Sequence, residues 1–423
     1  MLDLRSIRED PEPARAALRR RGAADALDEV LRLDERRREL LPGLEEGRAR
    51  RNRVSNEIAQ LKRERGNADE LIAEMRELGG VLKEREAELA RIEAERDQLA
   101  ATLPNLPDSE APDGDTEEDA VTLREVGERP EFDFEVRDHV DLGVAHGWIE
   151  MEKASEVSGS RFAYLLGDLV TVQMALLQLV LDLLRDEGMT PVVPPVLVRE
   201  WPLVGTGFFP GEREMIYEVP RDELFLVGTS EVSLAALHAG EIMAAEDLPR
   251  RYAGYSTCFR REAGAAGRDT RGIFRVHQFY KVEMFSFVEP SESRAEHDRL
   301  LAVQERILRM LEIPYRVVDI AAGDLGPSAS RKFDCEAWIP SQDRYREVTS
   351  CSNTTDYQAR RLDCRYRPEP VAQPVPAHTL NGTALAVGRT LIALIENGQR
   401  PDGSVRLPAP LVGAGVPEVI GAA

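Results

Sequence analysis

Cys258-Phe-Arg-Arg-Glu-Ala-Gly-Ala-Ala-Gly-Arg-Asp-Thr-Arg-Gly-Ile-Phe-Arg-Val-His-Gln-Phe-Tyr-Lys-Val-Glu-Met284 reads as two β-strands flanking a loop of glycines and charges. Side chains of a strand alternate between faces. On the second strand Arg275, His277, Phe279, Lys281 and Glu283 therefore share one face. Phe274, Val276, Tyr280, Val282 and Met284 share the other, with Gln278 as its one polar member. On the first strand Arg260 and Glu262 point together, opposite Phe259. A hairpin with an apolar back and an Arg/Glu/aromatic front is poor core material. It suits an anion carrying a flat ring, together with an ammonium group. The bland alternative, an edge hairpin with a solvated charged face, is disfavoured by the aromatic between the charges and the arginines of the loop.

Outward from the hairpin, 423 residues leave room for two or three domains. The net charge of -21 is uneven. Residues 1–106 carry 22 Lys/Arg against 24 Asp/Glu, whereas 107–135 carry 12 acids and two arginines. Within Arg48–Arg65 seven basic residues face two acidic ones. Local field steers a polyanion more than total charge does, so the acidic sum does not exclude nucleic acid. Cys258, Cys335, Cys351 and Cys364 show no C-x-x-C spacing, which argues against zinc and for reduced thiols in a cytoplasmic protein. The N-terminus is charged from its third residue and is no signal peptide. The most apolar run, Leu169 to Leu181, is too short and too polar to span a bilayer, so no membrane association is expected.

The organisation expected is α+β. Residues 1–106 form a helical arm, 107–135 an acidic linker, and 136–423 a catalytic domain with a mostly antiparallel sheet flanked by helices. Two heptad runs within about 25–103 are separated by the turn signal Gly66-Asn67 and predict an antiparallel two-helix coiled coil. The first seam reads Ala26, Val30, Leu33, Arg37, Leu40, Leu44, Gly47, Arg51, Val54, Ile58 and Leu61. Pro42 predicts a kink, and Gly79-Gly80 weak packing. In the catalytic domain a helix over Asp168–Arg185 precedes a strand ending in Pro194-Pro195.

Neither common glycine-rich nucleotide loop is present, so anion binding must come from arginines. Arg389 closes Asn381-Gly-Thr-Ala-Leu-Ala-Val-Gly-Arg389, where a strand passes into a helix. Glu347-Val-Thr-Ser350 offers hard oxygen ligands suited to Mg²⁺. Glu347 and Ser350 have opposite strand parity, so sharing a metal requires a bulge or a strand end there. Thr229-Ser-Glu231 opens a helix, and capping is its plain alternative.

Together these segments resemble the three signature motifs of class II aminoacyl-tRNA synthetases, and most closely the bacterial-type seryl-tRNA synthetases. The resemblance rests on the motif 1 helix and strand ending at Pro194-Pro195, Phe259–Glu262 as motif 2, and Gly382–Arg389 as motif 3. The wording at 267–272, 277–283, 350–353, 358–361 and 379–383 is specific to that family, and the likeness runs from residue 1 to about 408. The chain departs from the family's usual wording at Thr383, Arg331 and 205–214, and 413–423 has no counterpart.

The resemblance implies ATP-dependent activation of L-serine to seryl-adenylate, then transfer to the 3′ end of tRNA(Ser). For ATP it implies Arg260, Arg261, Glu262, Val276, Phe279, Glu347, Val348, Thr349, Ser350 and Arg389, with Arg260 and Arg389 catalytic. Arg260 would take the α-phosphate, Arg389 the γ-phosphate, Glu262 the adenine amino group, and Phe279 the ring. For serine it implies Thr229, Ser230, Glu231, Arg260, Glu283 and Thr383, and for Mg²⁺ Glu347 and Ser350. It also implies a homodimer through motif 1, with tRNA engaged by the arm and the motif 2 loop. One alternative is a paralogous seryl-activating enzyme of antibiotic biosynthesis or resistance, against which the long arm argues. Another is a non-catalytic RNA-binding relative, against which the intact set of motif residues argues.

Overall fold

The computed structural model describes residues 2–264, 267 and 269–421. They divide into two compact units, Met1–Leu103 and Pro104–Ala423.

In the first unit α1 (Ala24–Arg63) and α2 (Asp69–Thr102) pack against each other as a helical hairpin. Its buried seam is thin. Leu44, Leu82 and Leu89 form one cluster, flanked by Leu41 and Leu78. Leu27, Val30, Leu33 and Ile92 are buried nearer the other end. Toward the turn the seam positions Val54, Ile58, Leu61, Leu71 and Met75 are only half-buried, and Arg51 is exposed. A two-helix seam cannot seal itself, so ion pairs reinforce it. Arg36 reaches Glu88 (3.0 Å), Arg37 Glu93 (2.8 Å) and Arg48 Glu86 (2.9 Å). Asp34, buried between Arg8 (2.8 Å) and Arg96 (3.2 Å), ties both helices to the N-terminal segment. α1 runs through Pro42 as one element. A Cβ at Gly79 or Gly80 would meet open space, whereas one at Gly47 would lie 2.6 Å from Leu82 Cδ2.

The second unit is built on an eight-stranded sheet. Its strands are β1 (Val121–Val126), β2 (Thr190–Val192), β3 (Arg250–Phe259), β4 (Gln278–Val288), β5 (Tyr315–Asp319), β6 (Arg331–Ile339), β7 (Arg344–Thr355) and β8 (His378–Ala386). The order is β1-β5-β6-β7-β8-β4-β3-β2, antiparallel except for the β2–β3 pair. The helices used below are α3 (His139–Ala145), α4 (Asp168–Asp186), α5 (Ser293–Met310) and α6 (Val387–Gly398). α4, α5 and α6 bury Leu176, Leu300 and Leu391 against Val282, Met284, Cys351 and Leu380 of the strands. Gly382 lets α5 close on the sheet, since a Cβ there would lie 2.9 Å from Cys351 Cβ and 3.4 Å from Gln304 Nε2. Among the described residues no helix is long and apolar enough to cross a membrane.

One expectation is corrected. Residues 107–135 are not a linker, because β1 forms the edge of the main sheet, pairing Val126 with Tyr315 and Val121 with Asp319. Arg124 forks onto buried Glu305 of α5 at 3.0 and 2.6 Å. Upstream, Asp108 N–H donates to Ser330 O, and Pro112 O accepts from Ala322 N–H. The tail, which lacks a counterpart in the family wording, is built into the domain: Val419–Ile420 pairs with Val405–Arg406, and Val416 and Ile420 are buried.

Because Leu82 is 2 % exposed and fills the groove left by Gly47, Leu82→Ala should cost the arm about 2–5 kcal/mol. The check is urea titration of the helical circular-dichroism signal. The variant should lose part of that signal at lower urea than the parent.

Candidate active site

The sheet face away from α4–α6 opens into a cleft with about 290 Å³ of interior space. The hairpin strands stop at Phe259 and start again at Gln278, so Arg260, Glu262 and Phe274–His277 lie just past their ends rather than within them. Pairing continues there in looser form. Arg260 N–H donates to His277 O at 3.0 Å, and His277 Nδ1 donates to Arg260 O at 2.8 Å. Glu262 takes a left-handed backbone (φ 52), a strain that concentrates at functional sites.

At one end Lys281 and Glu283 rise from β4, both buried, with Nζ and Oε2 2.5 Å apart. Thr383 Oγ1 donates to Glu283 Oε2 at 3.2 Å. Asn381 Nδ2 donates at 3.2 Å both to Glu283 Oε1 and to Glu231 Oε2, joining two buried carboxylates through one amide. Gln358 Nε2 completes Glu231 at 2.8 Å. Burial, then the neighbouring Glu283 charge, pushes the Glu231 carboxyl up to about 7.

In the middle Arg260 lies 5.3 Å over the Phe279 ring, with its Nε donating to Gly228 O. Burial raises the Glu212 carboxyl beside it, and the Arg260 charge opposes the shift. Glu262 accepts from Arg275 Nη1 at 2.8 Å.

At the far end Arg389 stands in the first turn of α6. Its Nη1 donates to Glu347 O (3.0 Å) and lies 3.4 Å from Glu347 Oε1. The Phe274 ring centroid lies 4.7 Å from the Arg389 guanidinium and 3.9 Å from that of Arg346. Depth in the fold works to raise the Glu347 carboxyl. Arg389, Lys332 and Arg260 overcome it and hold the group down at about 2. The side chain is 44 % exposed, open to the cleft itself.

The parity conflict between Glu347 and Ser350 is resolved by a bulge. Cys335 pairs with Thr349 but Glu336 pairs with Glu347, so Val348 is the extra residue. Both oxygens then line the cleft. Asp334, directly across the strands from Ser350, keeps a buried Oδ1 with no partner. This hard-oxygen set fits Mg²⁺, which typically takes one or two carboxylates and completes its shell with phosphate and water. Among the described residues no group of three His, Cys, Asp or Glu forms a metal cluster.

The cleft thus brings together Thr229, Glu231, Arg260, Glu262, Val276, Phe279, Glu283, Glu347, Val348, Ser350, Thr383 and Arg389. Three expected residues do not line it. Ser230 is buried, with its hydroxyl turned to Gly254 O at 3.4 Å. Arg261 is exposed, with its N–H on Met215 O. Thr349 is turned by the bulge to the other face, beside Cys335. Part of the motif 2 loop (265, 266 and 268) lies outside the described residues. Lys281, Lys332, Asn381 and Glu212 line the cleft without having been assigned. Strand alternation puts Lys281 on the front face without giving it a role, and parity with Thr383 would have found Asn381. No local signal marks Lys332 or Glu212.

Chemically, guanidiniums at one end suit a polyphosphate and paired carboxylates at the other suit an ammonium. Comparison with known proteins is concordant. Residues 1–107 match the model of the seryl-tRNA synthetase N-terminal domain, and 216–398 that of the tRNA synthetase class II core domain (G, H, P, S and T). A serine--tRNA ligase of Rubrobacter xylanophilus is 49 % identical over 424 residues, covering 100 % of both chains. One from Acidothermus cellulolyticus is 50 % identical, covering 97 % of each. The crystal structure of seryl-tRNA synthetase from Pyrococcus horikoshii complexed with ATP matches with TM-score 0.92 and 40 % identity, covering 99 % of each chain. That of the cytoplasmic serine-tRNA ligase of Naegleria fowleri with AMP matches with TM-score 0.86 and 32 % identity, covering 97 % of this chain and 96 % of that one.

The raised Glu231 carboxyl has a stability consequence. The folded state holds this proton up to about pH 7, whereas an unfolded Glu loses it near the ordinary 4.5. Its contribution therefore turns unfavourable as pH rises from about 4.5 to 7. Glu231→Gln mimics the protonated form. Thermal unfolding at pH 5 and pH 8 should show the variant's Tm, relative to parent, shifting upward by several degrees at the higher pH. An unchanged difference would contradict this.

Proposed function

The chain belongs to the seryl-tRNA synthetase family, and on that premise we propose how its cleft activates L-serine with ATP and charges tRNA(Ser). The observation that carries the reading is the convergence of Arg260, Phe279, Glu283 and Arg389 on one cleft, with polyphosphate and ammonium chemistry at opposite ends.

Serine's ammonium binds at Glu231 and Thr229, and its hydroxyl at Glu283 and Thr383. The ring of ATP stacks on Phe279, with its amino group donating to Glu262. Arg260 holds the α-phosphate and Arg389 the γ-phosphate. The serine carboxylate attacks the α-phosphorus in line, and pyrophosphate leaves. That carboxylate is already anionic, so no general base is needed. Catalysis is positioning plus charge neutralisation. Glu347 and Ser350 would hold Mg²⁺, which when bound neutralises phosphate charge. A terminal ribose hydroxyl of tRNA then attacks the seryl carbonyl, and AMP departs.

The arm is the tRNA reader. Arg51, Arg53, Lys62, Arg63 and Arg65 near its turn are exposed. Arg48 and Arg50 are engaged by Glu86 and Glu74 and contribute less. The motif 2 loop guides the acceptor end. Val170 and Met174, one turn apart on α4, and the neighbouring Val193 and Leu197 expose apolar surface, which supports a homodimer through this face. The setting is cytoplasmic. An acceptor other than tRNA is disfavoured by the arm, which a carrier protein would not require.

Serine-dependent ATP–pyrophosphate exchange without tRNA is expected of the parent, and its absence would defeat the reading. Arg260→Ala should lower the adenylation rate about 10²–10³-fold, as for other lost charge-stabilising donors. Deleting residues 27–102 should leave exchange intact, while tRNA affinity falls and its salt dependence flattens. Unaltered tRNA affinity and salt slope in the truncated chain would refute the arm's role.

A further inference from the structure

The return limb of the loop between β3 and β4, Arg271–Phe274, is pinned from outside the cleft. His139, the buried first residue of α3, has Nε2 3.3 Å from Ile273 N and Nδ1 2.9 Å from Glu396 Oε1. The Ile273 N–H can only donate, so Nε2 accepts. The ring proton is thereby assigned to Nδ1, which donates to Glu396. Glu396 lies on α6, the helix carrying Arg389, and is fully buried. Its oxygens also accept from His139 N–H and Ser341 N–H, each at 3.1 Å. Gly272 (φ +85) passes so close that a Cβ would lie 2.1 Å from His139 Nε2. Outside, Arg271 clasps Asp138 and Asp141. The limb so held delivers Ile273 and Phe274 to the cleft wall, where the Phe274 ring packs against the guanidiniums of Arg389 and Arg346.

We propose that the His139–Glu396 pair is a positioning device for ATP. By locking the return limb to the helix that bears Arg389, it holds the Phe274 ring against the Arg389 guanidinium and so keeps that guanidinium aimed at the polyphosphate. His139 does not line the cleft, so its effect passes entirely through Ile273 and Phe274. The inference rests on the reading of Arg389 as a phosphate ligand.

The test compares His139→Phe, which keeps the ring and removes both hydrogen bonds, with His139→Gln, which restores a donor and an acceptor. ATP affinity is measured by calorimetry, and KM for ATP and serine by pyrophosphate exchange. The Phe variant should bind ATP about 10–100-fold more weakly, with KM for serine within about twofold of parent. The Gln variant should recover most of the loss. Parental ATP affinity in a folded Phe variant would overturn the proposal. So would a parallel loss for ATP, serine and kcat that Gln does not rescue, which marks a merely structural residue. Should the Phe variant not fold, exposed Arg271→Ala is read instead, with severalfold weaker ATP binding expected and parental binding overturning the idea. A parent that binds ATP but exchanges no pyrophosphate would defeat the functional reading instead, and calorimetry on the variants would still decide this one.

Discussion

Strand alternation is the constraint on which this molecule depends. In an eight-stranded sheet with helices packed on one face, every second side chain is committed to the apolar core. The remainder is free to be charged. Val282 and Met284 enter the helix-side core while Lys281 and Glu283 enter the cleft. A strict period of two would nonetheless misplace part of the chemistry. The extra residue Val348 brings Glu347 and Ser350 to the same side, and the register shift between Val282 and Glu283 pairs Glu283 with Thr383. The second shift places the hydroxyl and the carboxylate within hydrogen-bond range. Bulges here re-aim side chains rather than mark disorder in the ladder.

How much of this was legible in the chain depended on how local each determinant is. Along β4 itself alternation could be read, and it carries Phe279, Lys281 and Glu283 to the cleft. Past the strand ends it fails: Phe274 and Val276, expected on the apolar back, line the cleft, whereas His277, expected on the front, packs on Phe162 and does not line it. The heptads of the arm, a local pattern like the alternation, could also be read. Asp34 escaped that reading: its burial depends on Arg8 and Arg96, distant in sequence, and a heptad assigns it no role. β1 was hidden because an acidic, proline-bearing stretch has the composition of a linker. Only pairing with β5 and the Arg124–Glu305 fork show otherwise. Ser230, Arg261 and Thr349 sit inside motifs whose neighbours line the cleft, and adjacency in sequence places them on the wrong side. Lys332 enters from β6 beside Asp334 (3.0 Å), a placement set by sheet order alone.

The two ends of the cleft are electrostatic opposites, and each is stabilised by what it lacks. Glu231 and Glu283 could not both carry full charge in a dry site without Asn381, Gln358 and Lys281 around them. An incoming ammonium completes that arrangement by supplying the second cation. Arg389, Arg260 and Lys332 hold Glu347 ionised, and a polyphosphate would compete with that carboxylate for the same guanidinium. The cleft therefore gathers carboxylates and guanidiniums in one space, each group held by neighbours of opposite charge or by amide donors.

Distance lets an acidic chain present a basic surface to a polyanion. Arm residues 1–106 sum to -2, which leaves -19 of the total -21 for the remainder. A 40-residue helix such as α1 is about 60 Å long. Fields of exposed charges fade over about 8–10 Å in physiological salt. Several screening lengths separate the base of the arm from its turn, so a polyanion approaching the turn meets the field of nearby residues alone. On the outer part of α1 Arg51, Arg53, Lys62, Arg63 and Arg65 outweigh Glu57 and Glu64, and with Asp69, Glu70, Glu74 and Arg76 of α2 included six basic residues still stand against five acidic ones. The overall negative charge therefore does not by itself set the field at the turn.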